Sequence, residues 1–158
     1  MCFTANGTQP SNRKYMLDSG STFHLICWNF LRDAEKLTVR KCAHCYLNIA
    51  NGPITVDHEA DIWIEELGLH ITAFILKDSP PLLSMGKLCR MHGFVYVWNG
   101  MSDPVLYDSK FSIAIQLMLK SNVPFLLPEI TNDPLLKTPV NIPRQVYDAK
   151  NADAVQLK

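Results

Sequence analysis

The apolar residues of this chain fall in short runs that alternate with polar ones and are interrupted by turn chemistry. Residues 15–17, 45–49, 54–64, 69–76 and 94–98 are runs of this kind. An apolar side chain at every second position presses one face of a pleated strand against a core and leaves the other to water; an amphipathic helix needs a repeat near 3.6 instead. Asn51-Gly52-Pro53, Gly68, Asp78-Ser79-Pro80-Pro81 and Asn99-Gly100 separate the runs. Such residues close hairpins and end strands because they tolerate or fix unusual backbone angles. Residues 87–92 read as a short helix, and residues 31–41 suit a helical turn or a surface loop. The pattern predicts an all-β domain with one short helix towards its C-terminal end.

At 158 residues and 47% apolar content, the chain can fill one hydrophobic core and is short for two. We divide it into an N-terminal arm at 1–14, a compact domain at 15–107, and a linker or tail at 108–158. That last segment holds one amphipathic stretch at 111–119 and is then punctuated by Pro124, Pro128, Pro134, Pro139 and Pro143. Over the whole chain, 15 basic and 15 acidic side chains cancel, which leaves no broad cationic field to recruit nucleic acid or an anionic membrane. No apolar run approaches the roughly 20 residues of a membrane span. Five cysteines, an odd number, and an opening without a charged-then-apolar leader argue against a secreted disulfide scaffold and predict a cytoplasmic protein.

The segment that carries chemistry is Asp18-Ser19-Gly20-Ser21, set between Tyr15-Met16-Leu17 and Phe23-His24-Leu25-Ile26. An acid followed by a hydroxyl and a glycine is also a common turn, but here a carboxylate is held between two apolar segments. Two such carboxyls brought close share one proton, because like charges in a shielded site cannot both ionise. One then activates water while the other protonates the scissile carbonyl. Glycine lets backbone donors approach the carboxylate, and the Ser19 hydroxyl can hydrogen-bond across a two-fold axis and stiffen the pair. The chain contains only one Asp-Ser-Gly element, so a pair forms only if two chains each supply Asp18. Asp103 and Asp108 are not followed by glycine or set between apolar segments, and we discount them as an internal second carboxylate.

In their order these residues resemble the copia-type branch of retrotransposon aspartic proteases. The signature of that family, Asp-Ser-Gly, then Ala or Ser, two variable residues and His, is matched by Asp18, Ser19, Gly20, Ser21 and His24. Its Ala-Asn-Gly element before a β-ribbon is matched by Ile49-Ala50-Asn51-Gly52 and residues 54–64. Its apolar pair, Ser and short turn before the terminal helix are matched by Leu82-Leu83-Ser84-Met85-Gly86-Lys87-Leu88. The three matches span residues 15–98, about half of the chain.

The resemblance implies a closed retropepsin-like β fold forming half of a two-fold dimer, with Asp18, Ser19 and Gly20 catalytic. It further implies a flap over a peptide cleft and a Gag-Pol-like polyprotein as substrate. Substrate contacts are expected from Ser21, from Ala50, Asn51 and Gly52, and from Met85 and Gly86. The flap tip falls either at 50–53 or, as we favour, within 53–61. No cofactor and no metal are expected. The acid that often follows the catalytic loop in retroviral enzymes is absent here, its stretch being occupied by Thr22, Phe23 and His24. How such a dimer is braced is therefore open.

A second reading keeps the fold without the catalysis, as a relic that dimerises or binds peptides. A third, a small zinc adaptor around Cys42-Ala43-His44-Cys45, supplies half of a four-ligand site and ranks last. His24 is expected to be structural rather than catalytic. Trp28, Trp63 and Trp98 are expected in the core or at a dimer contact.

Overall fold

The computed structural model describes residues 13–49 and 52–128. Strand β1 (Tyr15–Asp18) is followed by β2 (Leu25–Ile26), a 3-10 turn (Trp28–Phe30), the one-turn helix α1 (Asp33–Lys36), and the long strands β3 (Arg40–Ile49) and β4 (Gly52–Ile64). A second 3-10 turn (Glu65–Leu67) leads through Gly68 into β5 (Leu69–Ile75), then β6 (Leu82–Ser84) and helix α2 (Met85–His92). Short strands complete the described chain: β7 (Val95–Val97), β8 (Val105–Tyr107), β9 (Ala114–Gln116), β10 (Met118–Lys120) and β11 (Val123–Leu126). The protein is mostly β, as the alternation predicts. Its second helix is the single turn α1, inside the stretch read as a helical turn or loop.

Period-two patterning explains which faces are buried. Along β4, Val56, Ala60, Ile62 and Ile64 turn inward, while Thr55, Asp57 and Glu59 stay at least partly in water. Gly68 turns the chain between β4 and β5 with a left-handed φ of 57°, a conformation glycine adopts without the Cβ penalty. Antiparallel pairing then aligns Ile62 with Ile71 and Ala60 with Ala73. Tyr15, Leu17, Ile26, Ile62, Leu83, Leu88, Leu106 and Leu126 meet in one core. Burying each large apolar side chain contributes about 1.5–3 kcal/mol.

Eight strands form one mixed sheet in the order β10-β11-β1-β6-β2-β5-β4-β3, and β7-β8-β9 form a second. The first two strands of the chain are not neighbours. Strand β6 inserts between them, parallel to β1 and antiparallel to β2, and pairs Leu17 with Leu83 and Asp18 with Ser84. The connection from Asp18 to Leu25 must therefore cross over the end of β6, where α2 begins.

Two boundaries drawn from the sequence move. The compact domain does not end at Tyr107: β11 pairs with β1, and Leu117 and Leu126 are each 1% exposed within the core. Residues 111–119, taken as one amphipathic stretch, form two separate strands, and Pro124 sits within β11 despite lacking an N–H. Proline punctuation concealed a strand whose partner lies about a hundred residues upstream. At the other end Arg13, placed in the N-terminal arm, is buried and bound to Glu35. Residues 1–12 and 129–158, with the rest of the expected arm and tail, lie outside the described residues. Among the described residues no helix is long and apolar enough to cross a membrane.

Candidate active site

Asp18 is the last residue of β1. Tyr15 and Leu17 face the core, so alternation turns Asp18 to the opposite face, where its side chain is half-buried. The backbone N–H of Gly20 donates to Asp18 Oδ1 at 2.7 Å. A Cβ at position 20 would stand 3.3 Å from that same oxygen, a contact tight enough that the carboxylate would have to give by a few tenths of an ångström. Ser19 and Gly20 are exposed at the tip of the loop.

Beyond the tip the loop is tied down. The Ser21 hydroxyl donates to the carbonyl of Phe23 at 2.6 Å, and the Ser21 carbonyl accepts from the hydroxyl of Ser84 at 2.7 Å. The backbone N–H of Ser84 donates to His24 Nδ1 at 3.0 Å. Ser84 also caps α2 by accepting from the backbone N–H of Lys87 at 3.2 Å. A serine cap of this kind stabilises a helix by about 1 kcal/mol. Ser84 and His24 are both almost completely buried. Burial pushes His24 down to about 4, and the positive charges of Lys87 and His92 add to the effect. The imidazole is thus neutral near pH 7, with Nδ1 accepting and the proton on Nε2, which has no partner among the described residues.

Lys87 lies 5.0 Å above the ring of Phe23, which in turn packs against Phe74 with ring centroids 4.9 Å apart. Phe23, His24, Glu59, Thr72, Phe74 and Lys87 line an open cavity of about 270 Å³. Asp18 and its loop tip are not part of that lining.

The β3–β4 hairpin closes with Ile49 opposite Gly52, which has a φ of 108°. Residues 50 and 51 join the strands; Ala50 and Asn51 themselves lie outside the described residues. Residues 53–61, favoured for the flap tip, are instead the rising arm of β4, paired to β3 as far as Glu59 and to β5 from Glu59 onward. The base of the hairpin is held by Arg40, which donates to Glu59 at 2.8 Å and to both oxygens of Asp61 at 2.8 and 3.1 Å. The Arg40 bonds hold the Asp61 carboxyl below its usual range, against a smaller opposing effect of desolvation. Tyr46 and Ile49 project apolar surface from the outer strand.

The remaining sequence candidates are dispersed. Met85 and Gly86 open α2; Met85 packs against the core and Gly86 is exposed. Cys42 and Cys45 are half-buried on β3, at an irregularity in its pairing. Among the described residues no group of three or more His, Cys, Asp or Glu side chains could hold a metal ion. Asp108 is engaged locally, accepting from the backbone N–H groups of Ser112 and Ile113 and from the Ser112 hydroxyl. Trp28 and Trp98 stand 47% and 44% exposed, so neither is a core residue of the single chain. Trp63 is half-buried in β4 and packs against His70 in a tilted arrangement, with ring centroids 4.5 Å apart.

Sequence reasoning gave Ser84 no role beyond a position in a motif. The only local signal was a serine directly before a helical stretch, which marks an N-cap. Its bonds to Ser21 and His24 depend on the insertion of β6, which no local pattern encodes.

No family model matches this chain, and no curated protein matches it.

Proposed function

We propose that this chain is an aspartic endopeptidase of retropepsin type, assembled as a homodimer in which each copy contributes Asp18. One observation carries the reading: a half-buried carboxylate at a strand end, with one oxygen held by the Gly20 N–H in a loop anchored to the core. A carboxylate so placed is open to a partner and to water, yet its position is fixed. The chain supplies one Asp-Ser-Gly element, and the second carboxylate comes from a second copy.

In the assembled pair, two carboxyls sharing one proton divide the work. The ionised one takes a proton from a water molecule, which attacks the peptide carbonyl, while the protonated one delivers its proton to that carbonyl oxygen; the tetrahedral intermediate then collapses, the C–N bond breaks, and the departing amine takes the proton that the first carboxyl had drawn from water. The β3–β4 hairpin, with its exposed Tyr46 and Ile49, serves as the flap that closes over the peptide and excludes water. The substrate is an extended segment of a Gag-Pol-like polyprotein.

The test is cleavage of a random-peptide library at mildly acidic pH, with and without a statine-type transition-state analogue. Cleavage blocked by the analogue and lost in Asp18→Asn is the expected result. A confirmed dimer that cleaves nothing would replace this reading with a non-catalytic, peptide-binding or dimerising domain.

A further inference from the structure

We propose that Ser84 and His24 are positioning residues that together fix the loop carrying Asp18. The inference rests on Asp18 being the catalytic carboxylate and adds to it the part of the fold that sets where that carboxylate stands.

The loop is held at three points, and Ser84 takes part in each. Asp18 stands directly opposite Ser84 in the parallel pairing of β1 and β6. The Ser21 carbonyl receives the Ser84 hydroxyl at 2.7 Å. The His24 ring receives the Ser84 backbone N–H at 3.0 Å. Only Ser19, Gly20, Thr22 and Phe23 lie between these anchors, and the Gly20 N–H reaches back to Asp18 Oδ1. The same hydroxyl accepts from Lys87, so the start of α2 and the loop share one anchor.

A buried hydroxyl that both donates and accepts, with its own N–H also bonded, leaves the loop little freedom to shift. Proton transfer between two carboxyls and a water demands placement within a fraction of an ångström, and misplacement of about 1 Å costs on the order of 100-fold in rate.

The experiment uses the full chain and four variants. Ser84→Ala removes the hydroxyl and His24→Leu removes the ring acceptor. Ser84→Thr keeps the hydroxyl, and His24→Asn places an amide oxygen near the position of Nδ1. Backbone ¹⁵N order parameters for residues 19–22 are measured beside steady-state cleavage. Ser84→Ala and His24→Leu are expected to lower those order parameters from about 0.85 towards 0.6 and to reduce kcat at least roughly tenfold, with KM little changed. Ser84→Thr and His24→Asn are expected to restore both.

Unchanged order parameters and kcat in Ser84→Ala, with cleavage intact, would overturn the proposal and leave the protease reading standing. A wild-type chain that cleaves nothing, while Ser84→Ala still loosens residues 19–22, would sink the protease reading and leave the anchor standing. Should Ser84→Ala fail to fold, the wild type decides. A ¹⁵N–¹⁵N coupling across the hydrogen bond between the Ser84 amide and His24 Nδ1 is expected, and its absence overturns the anchor.

Discussion

Arg13 and Glu35 meet as a two-pronged ion pair inside the protein, with N–O distances of 2.7 and 2.8 Å and less than a tenth of either side chain exposed. The guanidinium also donates to the Tyr15 hydroxyl at 2.6 Å and to the Phe30 carbonyl at 2.9 Å. It thereby ties the entry to β1 to the turn and helix that precede β3. Burial pushes the Glu35 carboxyl up, but the bonds from Arg13 and the Arg32 backbone outweigh it and hold the group below its usual range. Removing one partner leaves the other charged and buried. Arg13→Met is expected to cost about 3–5 kcal/mol, and the double variant Arg13→Met/Glu35→Leu markedly less. Urea denaturation of the two variants and the wild type measures the difference; equal losses in both would refute the coupling.

Acid should weaken the fold through His24. Its folded value of about 4 lies below the ordinary 6.5, so on acidification the unfolded chain takes up the proton first. Stability from the neutral ring is complete above pH 6.5 and is lost as pH falls towards 4, a change of about 3 kcal/mol. Lys87 and His92 face the ring from α2, and Glu59 of β4 shares its cavity. Glu35 adds a loss of the same sign below about pH 4.5, because its folded value is depressed. Urea midpoints taken between pH 7.5 and 4.5 should fall steeply for the wild type and more gently for His24→Asn. Parallel curves would show that His24 does not govern the slope. Peptidase activity is accordingly expected to peak at mildly acidic pH, its acid side limited by the fold as well as by the carboxylate pair.

Gly20→Ala tests close approach at the loop tip. The added methyl carbon would sit 3.3 Å from Asp18 Oδ1, on an exposed loop with little to repack. A stability change below about 1 kcal/mol is expected, with a fall in kcat of roughly tenfold or more as the carboxylate is displaced. Unaltered kcat would mean that the bond from Gly20 does not set the position of Asp18.

Leu126→Ala tests where the domain ends. The side chain is 1% exposed and lies in β11 beside Tyr15 of β1. A loss of about 2–5 kcal/mol is expected from calorimetry or denaturant titration, as for other buried leucines. A change within about 0.5 kcal/mol would return residues after Tyr107 to the status of a tail.

The sequence by itself determined the β class and the placement of most strands, because a period of two and glycine or proline turns are local properties of the chain. Residues 15–17, 54–64 and 69–76 emerged as strands for that reason, and Asp18 stood out as a carboxylate between apolar segments. Tertiary structure decided what no neighbour in sequence could encode. The insertion of β6 between β1 and β2 brought Ser84 to the Asp18 loop across sixty-odd residues, and β11 joined β1 across more than a hundred. The buried pair of Arg13 and Glu35 likewise joins side chains that lie far apart along the chain. A strand's hydrophobic pattern says which face is buried but not which edge it will find, since backbone hydrogen bonding is the same for every partner and the closing of long loops chooses among them.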